Sequence, residues 1–341
     1  MDKILIIQTA FIGDAILTLP MIQKLKDIFN DVELHVLCIP SSANIFSVSP
    51  YVNKVLIYDK KEKDKGLLTL VKLILRIRSE RYTRIYSPHR SFRTAMVVKF
   101  SGAKLTFGFN NSSLKNIYTY LVNYDRSKHE VQRNLDLIGF SYNANSWKIR
   151  PELKITQVLS KPLEKLFVNY TDKSKYIVVA PGSVWNTKIY PSQFYRDIIK
   201  YLIDQKYFVL LIGGKNDQAL CESLVFEFEN YANSIAGKVS LLESVLVLEK
   251  AEMLISNDSA PTHLGMCADI PVLTIYCSTV PDFGFYPYNL KSSYISYNDL
   301  TCKPCGIHGY NKCPIKTFDC AYKLKPDIVI SKIEEMLNGG K

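Results

Sequence analysis

The stretch that decides the fold is QTAFIGDAILTLP, residues 8–20, which follows the apolar run from Ile4 to Ile7. The run predicts a buried first strand, and the residues after it predict a turn and then a helix. Such a turn usually binds phosphate, yet this one has a single glycine, Gly13, followed directly by an acid, Asp14. The sequence contains neither the G-x-G-x-x-G dinucleotide fingerprint nor the G-x-x-x-x-G-K-[ST] phosphate loop. An NAD-dependent oxidoreductase is therefore disfavoured.

Asp14 has two alternative roles. Aspartate is a good helix N-cap, so the residue can simply begin the helix. A carboxylate after the first strand can also act as a general base that accepts a proton from a bound hydroxyl. Gly13 would then let the backbone and a substrate approach closely. We expect Pro20 to kink the helix because it removes the hydrogen bond to the carbonyl of Ile16.

Strand and helix patterns alternate along both halves of the chain, which predicts two α/β units with largely parallel sheets. The predicted strands are residues 3–8, 32–38, 54–58, 84–87, 104–109, 175–182, 207–214, 252–256 and 271–277. Predicted helical segments are 21–29, 67–80, 129–140, 192–204, 216–229, 241–250 and 260–268. We predict two Rossmann-like domains, residues 1–165 and 166–341, that face a central cleft at the carboxyl ends of their strands.

Composition and charge limit the function classes. The chain has 341 residues, of which 47% are hydrophobic, enough for two cores. Its net charge of +11 favours an anionic partner, although no recognised nucleic-acid-binding module is present. No apolar stretch reaches the roughly 18 residues of a membrane-spanning helix, and the N-terminus is typical of a strand rather than a signal peptide. We therefore expect a cytoplasmic protein.

Three loops of the second half carry residue types that bind nucleotides. In APGSVWNTKIYP, residues 180–191, backbone N–H groups, hydroxyls and a cation can hold phosphates, and an ordinary turn with a solvated lysine is the alternative. In LIGGKNDQ, residues 211–218, the acid either binds a ribose hydroxyl or caps a helix. In ISNDSAPTHLGMCADIPVLTIY, residues 255–276, a strongly marked helix start offers free N–H groups to an anion. The side chains concerned are Ser183, Thr187, Lys188, Asp217, Asp258, Ser259 and His263.

The segments FIGDAILTLP, PGSVWNTKIYP and SNDSAPTHLGMCADIPV resemble the signature segments of glycosyltransferase family 9, which comprises the bacterial ADP-heptose–lipopolysaccharide heptosyltransferases and their relatives. The resemblance runs from residue 3 to about residue 330 and implies a GT-B fold, with the acceptor in the first domain and the nucleotide sugar in the second. It implies inverting transfer of a heptose from an ADP-heptose-type donor to a hydroxyl of the lipopolysaccharide inner core. The alternatives are a related transferase that uses another nucleotide sugar for a different surface glycan, and a non-catalytic nucleotide-sugar- or glycan-binding protein.

The resemblance also implies roles for individual residues. Asp14 matches the catalytic base, and Asp217 matches an acidic position near the ribose. The residues that match the diphosphate loop are Ser183, Thr187 and Lys188. Those that match the segment holding the donor sugar and phosphates are Asp258, Ser259, Ala260 and His263. Lys188 and the helix start would stabilise charge on the leaving group, and no D-x-D motif is present, so we expect no metal or other cofactor.

Two further clusters stand apart from these loops. The basic residues Arg76, Arg78, Arg81, Arg84, Arg90 and Arg93 either form a solvated helix face or favour an acidic, lipid-linked acceptor and the inner face of an anionic inner membrane. We place Gly13, Arg90 and Arg93 on the acceptor side. The cysteines Cys302, Cys305, Cys313 and Cys320 are interpreted as reduced structural thiols, with a zinc site as the alternative.

Overall fold

The computed structural model describes residues 2–60, 62–156, 160–166 and 175–339. The chain divides into two compact units, Met1–Ile155 and Thr156–Lys341. The sequence had placed the division after residue 165. Residues 157–159 and 167–174, which belong to the turn-rich region around that predicted division, lie outside the described residues.

Unit 1 is a six-stranded parallel sheet with the order β3-β2-β1-β4-β5-β6. Its strands are β1 (Asp2–Gln8), β2 (Val32–Cys38), β3 (Lys54–Ile57), β4 (Arg84–Ser87), β5 (Leu105–Phe109) and β6 (Tyr120–Val122). Its helices are α1 (Ile12–Ile28), α2 (Pro40–Ser47), α3 (Leu67–Ser79), α4 (Phe92–Phe100) and α5 (Glu130–Leu137). Right-handed connections place α1 and α2 on one face of the sheet, and α3 and α4 on the other.

The centre of unit 1 is strand β1, in which Ile4 to Ile7 have no exposed surface. A parallel strand covered on both faces needs such an uninterrupted apolar run. Helix α1, which follows it, is buried at nearly every position from Ala15 to Leu25. The helix continues through Pro20, so the amphipathic segment expected at residues 21–29 is the second half of a longer, largely buried helix.

Unit 2 repeats the architecture, with the strand order β12-β11-β10-β7-β8-β9 and parallel pairing throughout. Its strands are β7 (Tyr176–Ala180), β8 (Phe208–Leu211), β9 (Ala232–Ser234), β10 (Met253–Asn257), β11 (Val272–Tyr276) and β12 (Ser293–Ser296). Its helices are α6 (Lys161–Leu166), α7 (Ser192–Asp204), α8 (Gln218–Val225), α9 (Leu241–Glu249), α10 (Ala260–Ala268), α11 (Asp319–Tyr322) and α12 (Pro326–Asn338). The core contains apolar residues of β7, β8, β10 and β11 packed against α7, α8 and α12.

Each sheet reverses its strand order at one point, between β1 and β4 in unit 1 and between β7 and β10 in unit 2. The carboxyl ends of the two strands at such a reversal form the crevice in which doubly wound sheets bind ligands. The two doubly wound parallel sheets confirm the prediction of two α/β Rossmann-like domains. The loops that leave these four strands carry most of the candidate site residues. Within the described ranges, no helix combines the length and apolarity needed to cross a membrane.

Candidate active site

Asp14 lies in the first turn of α1, directly after β1. The helix begins at Ile12 and its N-cap is Phe11, so the interpretation of Asp14 as the N-cap was wrong by three positions. Its Oδ2 accepts a hydrogen bond from the Phe11 N–H at 3.2 Å, and an acid in the first turn also stabilises the helix dipole. Gly13, which precedes it, is helical.

The environment of Asp14 favours its protonated form. Burial raises the pKa of this carboxyl to about 7, and the negative charge of Glu130 contributes in the same direction. The Phe11 N–H, the N–H of Asp14 itself and the positive charge of Arg90 act to lower that pKa, but they do not cancel the effect of burial. A carboxyl with a pKa near neutrality is suited to exchanging protons with a substrate.

Glu130, the first residue of α5, belongs to a buried polar cluster beside Asp14. Its Oε2 is 2.9 Å from Arg133 Nη1 and accepts a hydrogen bond of 3.0 Å from the Tyr124 hydroxyl. The Asn134 Nδ2 donates to the carbonyl of Leu17 at 3.0 Å, which joins α5 to α1. This cluster could not be recognised in the sequence, because its members become neighbours of Asp14 only through the packing of α5 on α1.

Arg90 and Arg93 follow β4 but differ in their surroundings. The Cζ of Arg90 is 4.0 Å from the centroid of the Tyr124 ring, and in the described part of the chain no carboxylate pairs with it. The guanidinium of Arg93 instead donates to the Tyr58 hydroxyl at 3.3 Å and to the carbonyl of Lys65 at 3.0 Å. Arg90 therefore presents an unpaired charge at the reversal of the sheet, whereas Arg93 holds the loop between β3 and α3.

The six arginines between Arg76 and Arg93, which the sequence groups together, do not form one patch. Arg84 begins β4 and pairs with Asp2 at 2.8 Å, whereas Arg90 follows the carboxyl end of the same strand. Arg76 and Arg78 lie in the last turn of α3, at the end that leads into β4, and Arg81 follows them. The chain thus places Arg90 and Arg93 at the opposite edge of the sheet from the other four.

The charges of the unit 2 loops meet in an ion pair. Lys188, in the loop after β7, has its Nζ 2.6 Å from Oδ2 of Asp258, which follows β10. The Thr279 hydroxyl donates to the same Oδ2 at 2.7 Å. Asn257, the last residue of β10, joins these loops as well, since its Nδ2 donates to the carbonyl of Pro181 at 2.6 Å. Asn257 was not among the predicted site residues, although the sequence shows an amide side chain directly before Asp258.

Helix α10 begins at Ala260, and Pro261 follows within its first turn. The N-cap Ser259 does not cap the helix with its side chain; its Oγ lies 3.4 Å from the carbonyl oxygen of Gly182. The first-turn N–H groups of a helix have no partner within the helix, so this end can bind an anion. The predicted helix start is confirmed, and it adjoins the loop after β7.

His263 lies on the same helix and is buried, and among the described residues its Nδ1 has no hydrogen-bond partner. Burial lowers its pKa to about 4; the charge of Asp258 opposes this shift and that of Lys188 adds to it. The imidazole is therefore neutral near pH 7 and offers a hydrogen bond to a ligand rather than a positive charge. An unpaired buried nitrogen is uncommon in folded proteins, and a bound ligand is one way to satisfy it.

Asp217 lies against the loop after β7, which contains Gly182 and Ser183. Its Oδ2 accepts a hydrogen bond of 2.8 Å from the Gly214 N–H. A Cβ on Gly182 would collide with the Asp217 carboxylate, so a larger residue at that position would displace the carboxylate. In the same loop, the Ser183 Oγ accepts a hydrogen bond of 3.3 Å from the Trp185 N–H. The predicted residues Ser183, in the loop after β7, and Asp217, in the loop after β8, thus belong to two adjoining loops.

Thr187 has a different environment. Its Oγ1 donates to the carbonyl of Tyr310 at 3.0 Å, and it accepts bonds from the Tyr310 N–H at 2.8 Å and from the Ser278 hydroxyl at 3.0 Å. One hydroxyl can donate once and accept twice, so Thr187 has no remaining hydrogen bond to give. Gly309, at φ +79°, packs against the same oxygen. Thr187 anchors the cysteine-rich segment to the loop that carries Lys188.

All eight cysteines are free thiols. In the residues that the structure describes, no three His, Cys, Asp or Glu side chains are grouped so that they could hold a metal ion. Other contacts hold the cysteine-rich segment: the Lys303 Nζ donates to the carbonyls of Tyr276 at 3.1 Å and Tyr297 at 3.0 Å. The Cys305 N–H donates to the carbonyl of Ser278 at 2.8 Å.

The family model for glycosyltransferase family 9 (heptosyltransferase) matches residues 70–311, more than half of the chain. The chain belongs to glycosyltransferase family 9. It is therefore a glycosyltransferase, and the family predicted from the sequence is confirmed.

Similar proteins agree with this membership. Lipopolysaccharide heptosyltransferase 1 of Campylobacter coli is 26% identical over 296 residues, which cover 81% of this chain and 84% of that protein. A family 9 glycosyltransferase structure from Veillonella parvula has a TM-score of 0.83 at 19% identity, covering 99% of this chain and 98% of that one. The Escherichia coli heptosyltransferase WaaC, solved with ADP-2-deoxy-2-fluoro heptose, has a TM-score of 0.71 at 18% identity and covers 98% and 99%. These structures share the GT-B fold with this glycosyltransferase.

Proposed function

We propose that this glycosyltransferase moves a heptose from an ADP-heptose-type donor to a hydroxyl of the lipopolysaccharide inner core. Two similarities support this choice: the Campylobacter coli relative is a lipopolysaccharide heptosyltransferase, and the WaaC structure contains an ADP-heptose analogue. The donor binds unit 2 and the acceptor binds unit 1. The enzyme acts in the cytoplasm, in peripheral contact with the anionic inner face of the inner membrane, and needs neither nucleic acid nor a cofactor.

The observation that carries the catalytic part of the proposal is Asp14, a carboxyl with a pKa of about 7 at the reversal of the first sheet. In its ionised form it takes the proton of the acceptor hydroxyl. The acceptor oxygen forms a bond to the anomeric carbon while the bond from that carbon to the diphosphate oxygen breaks, which inverts the anomeric centre. Arg90 forms no ion pair with a carboxylate in the described part of the chain, and it binds an acidic group of the acceptor.

Unit 2 stabilises the leaving nucleoside diphosphate. Lys188, the N–H groups at the start of α10 and the hydroxyls of Ser183 and Ser259 lie around the loops after β7 and β10. Such fixed donors stabilise negative charge as it develops, which a metal ion otherwise does. His263 donates a hydrogen bond to the donor, and Asp217 binds a ribose hydroxyl. Thr187 supports this set by positioning the Lys188 loop.

A thermal-shift screen with ADP-, UDP-, GDP- and dTDP-sugars tests the choice of donor. We expect ADP-heptose to raise the melting temperature, and the rise to grow with ligand concentration as mass action requires. Stabilisation by UDP- or GDP-sugars without stabilisation by ADP-heptose would overturn the proposal. Transfer in the presence of EDTA, with the anomeric configuration of the product read by NMR, tests metal independence and inversion.

A further inference from the structure

Helix α3 has two apolar faces. Its inner residues Leu70, Leu73 and Ile77 are buried in the core of unit 1. Four other apolar side chains point away from that core and face solvent. With their exposed fractions, they are Leu67 (77%), Leu68 (78%), Val71 (44%) and Leu75 (60%). We call these four residues the α3 face.

The α3 face is one continuous surface. At about 100° of rotation per residue, the four side chains fall within an arc of about 100° on the helix. Basic residues border this arc: Lys72 and Arg76 lie along one side of it, and Arg78 lies at its C-terminal end. The helix, Leu67–Ser79, contains no acidic residue. An exposed apolar stripe bordered only by cations is typical of a helix that lies in a membrane surface.

The α3 face begins at the edge of the sheet where Asp14 lies. Leu67 and Leu68 open the helix that follows β3, so they lie at the carboxyl edge of the sheet. The hydrogen bond from Arg93 to the carbonyl of Lys65 holds this end of α3 beside the N-terminal end of α4. Phe92, the first residue of α4, is a second exposed apolar side chain at that end, with 57% of its surface exposed.

We propose that the α3 face docks this glycosyltransferase on the surface of an anionic lipid bilayer. The leucines enter the interface between headgroups and acyl chains, and Lys72, Arg76 and Arg78 contact lipid phosphates. The surface favours a bilayer over a second copy of the chain, because α3 offers its own copy only cations and would set like charges together. That a lipid-linked acceptor thereby reaches the edge of the sheet near Asp14 rests on the proposed function.

Flotation with two kinds of vesicle tests the docking: phosphatidylcholine alone, and phosphatidylcholine with an equal amount of phosphatidylglycerol. The wild-type protein should bind the mixed vesicles and not the neutral ones. Leu68→Ser with Leu75→Ser should lower binding about tenfold or more. Lys72→Gln and Arg76→Gln should each lower it roughly fivefold. Leu290→Ser is the matched control, because that leucine is 82% exposed in unit 2.

Three outcomes would overturn the docking proposal. These are equal binding to both vesicles, unchanged binding of the double leucine variant, and a dimer in light scattering that the leucine variant abolishes while no vesicle is bound. The last outcome would make the α3 face an interface between copies. Transfer to a water-soluble acceptor separates this proposal from the proposed function: the leucine variant should keep it. If the wild type binds vesicles but transfers no heptose, the function fails while the docking stands.

Discussion

Lys188 and Asp258 form an ion pair of 2.6 Å in which only 12% and 11% of the two side chains are exposed. The two residues follow different strands, β7 and β10, so the pair joins both sides of the reversal in the second sheet. Lys188 thus has a partner before any nucleotide arrives. Under the proposed function, a bound diphosphate shares this cation with Asp258, and the carboxylate keeps the ammonium group in place for it.

Lys188→Met should reduce both stability and nucleotide affinity. The substitution leaves the largely buried Asp258 carboxylate without its cation, which lowers the free energy of unfolding by about 3 kcal/mol. It also removes the charge proposed to contact the diphosphate. Thermal denaturation measures the first effect, and calorimetric titration with ADP measures the second.

The double variant Lys188→Met with Asp258→Asn is the control. Because both charges are then absent, the melting temperature should return toward that of the wild type. The affinity for ADP should stay low. Recovery of affinity together with stability would mean that Lys188 has only a structural role.

Asp14→Asn should reduce the transfer rate by roughly 10² to 10⁴, the usual contribution of a general base. The amide oxygen can still accept the hydrogen bond from the Phe11 N–H, so the helix start is preserved. The affinity for ADP should not change, since the proposed nucleotide site lies in unit 2. Steady-state kinetics with ADP-heptose provide the measurement, and a variant with nearly wild-type turnover would exclude Asp14 as the base.

The rate should depend on pH through Asp14. Only the ionised carboxylate accepts a proton, so kcat/KM should rise with pH and level off above about 7. Glu130→Gln removes a negative charge that raises the pKa of Asp14, so this limb should shift to lower pH. Glu62→Gln, a change at an exposed glutamate of the same unit, should leave the limb in place. An identical profile in the Glu130 variant would contradict the coupling.

Asp14 should also make stability depend on pH. The pKa of Asp14 is about 7 in the folded chain and 3.8 in the unfolded chain, so the folded state binds the proton more tightly. The stabilising contribution of the protonated carboxyl is complete below about pH 4 and is lost as the pH rises through 7. Asparagine resembles the neutral acid at every pH. We expect Asp14→Asn to melt like the wild type at the acidic end of this range and at a higher temperature above pH 7; the same difference at both ends would refute this account.

Asp217→Ala should weaken ADP binding by about tenfold or more, because a charged hydrogen bond to ribose is lost. 2′-Deoxy-ADP and 3′-deoxy-ADP each lack one ribose hydroxyl. For the one that lacks the hydroxyl bound by Asp217, the same variant should lose less affinity. Asp217→Asn retains an acceptor for the Gly214 N–H and therefore separates loop structure from ribose contact. Equal losses for all three ligands would show that Asp217 acts only on the loop.

The strands and helices of both domain centres could be predicted because their signals are local. Strand β2 and helix α10 have the predicted bounds, because the signal for each lies within its own segment. For β2 this signal is a mostly apolar run, and for α10 it is a helix start marked by proline. Strand β6, which was missed, has three residues, and its Tyr120 is half exposed. It is defined by its pairing with β5 and by the stacking of Tyr120 on Phe107 at 4.8 Å. Sequence patterns do not contain such partners.

The candidate site shows the same limit. The sequence indicated which loops matter, because their glycines, hydroxyls and charges follow apolar strands. It did not indicate that Thr187 would be bound by Tyr310, which is 123 residues away. Nor did it indicate that Glu130 would raise the pKa of Asp14, because that effect depends on how α5 packs on α1. The chemistry of each residue could be predicted, whereas its partners come from tertiary structure.

Both units have the same strand order, and each reverses it once. Under the proposed function, donor recognition and proton removal therefore rest on two separately built frameworks. A substitution in the loops after β7 and β10 can exchange one nucleotide sugar for another while the strands that support Asp14 keep their register. Changes around Arg90 can likewise alter the acceptor without touching the nucleotide. A family built on this plan can diversify its two substrates one at a time.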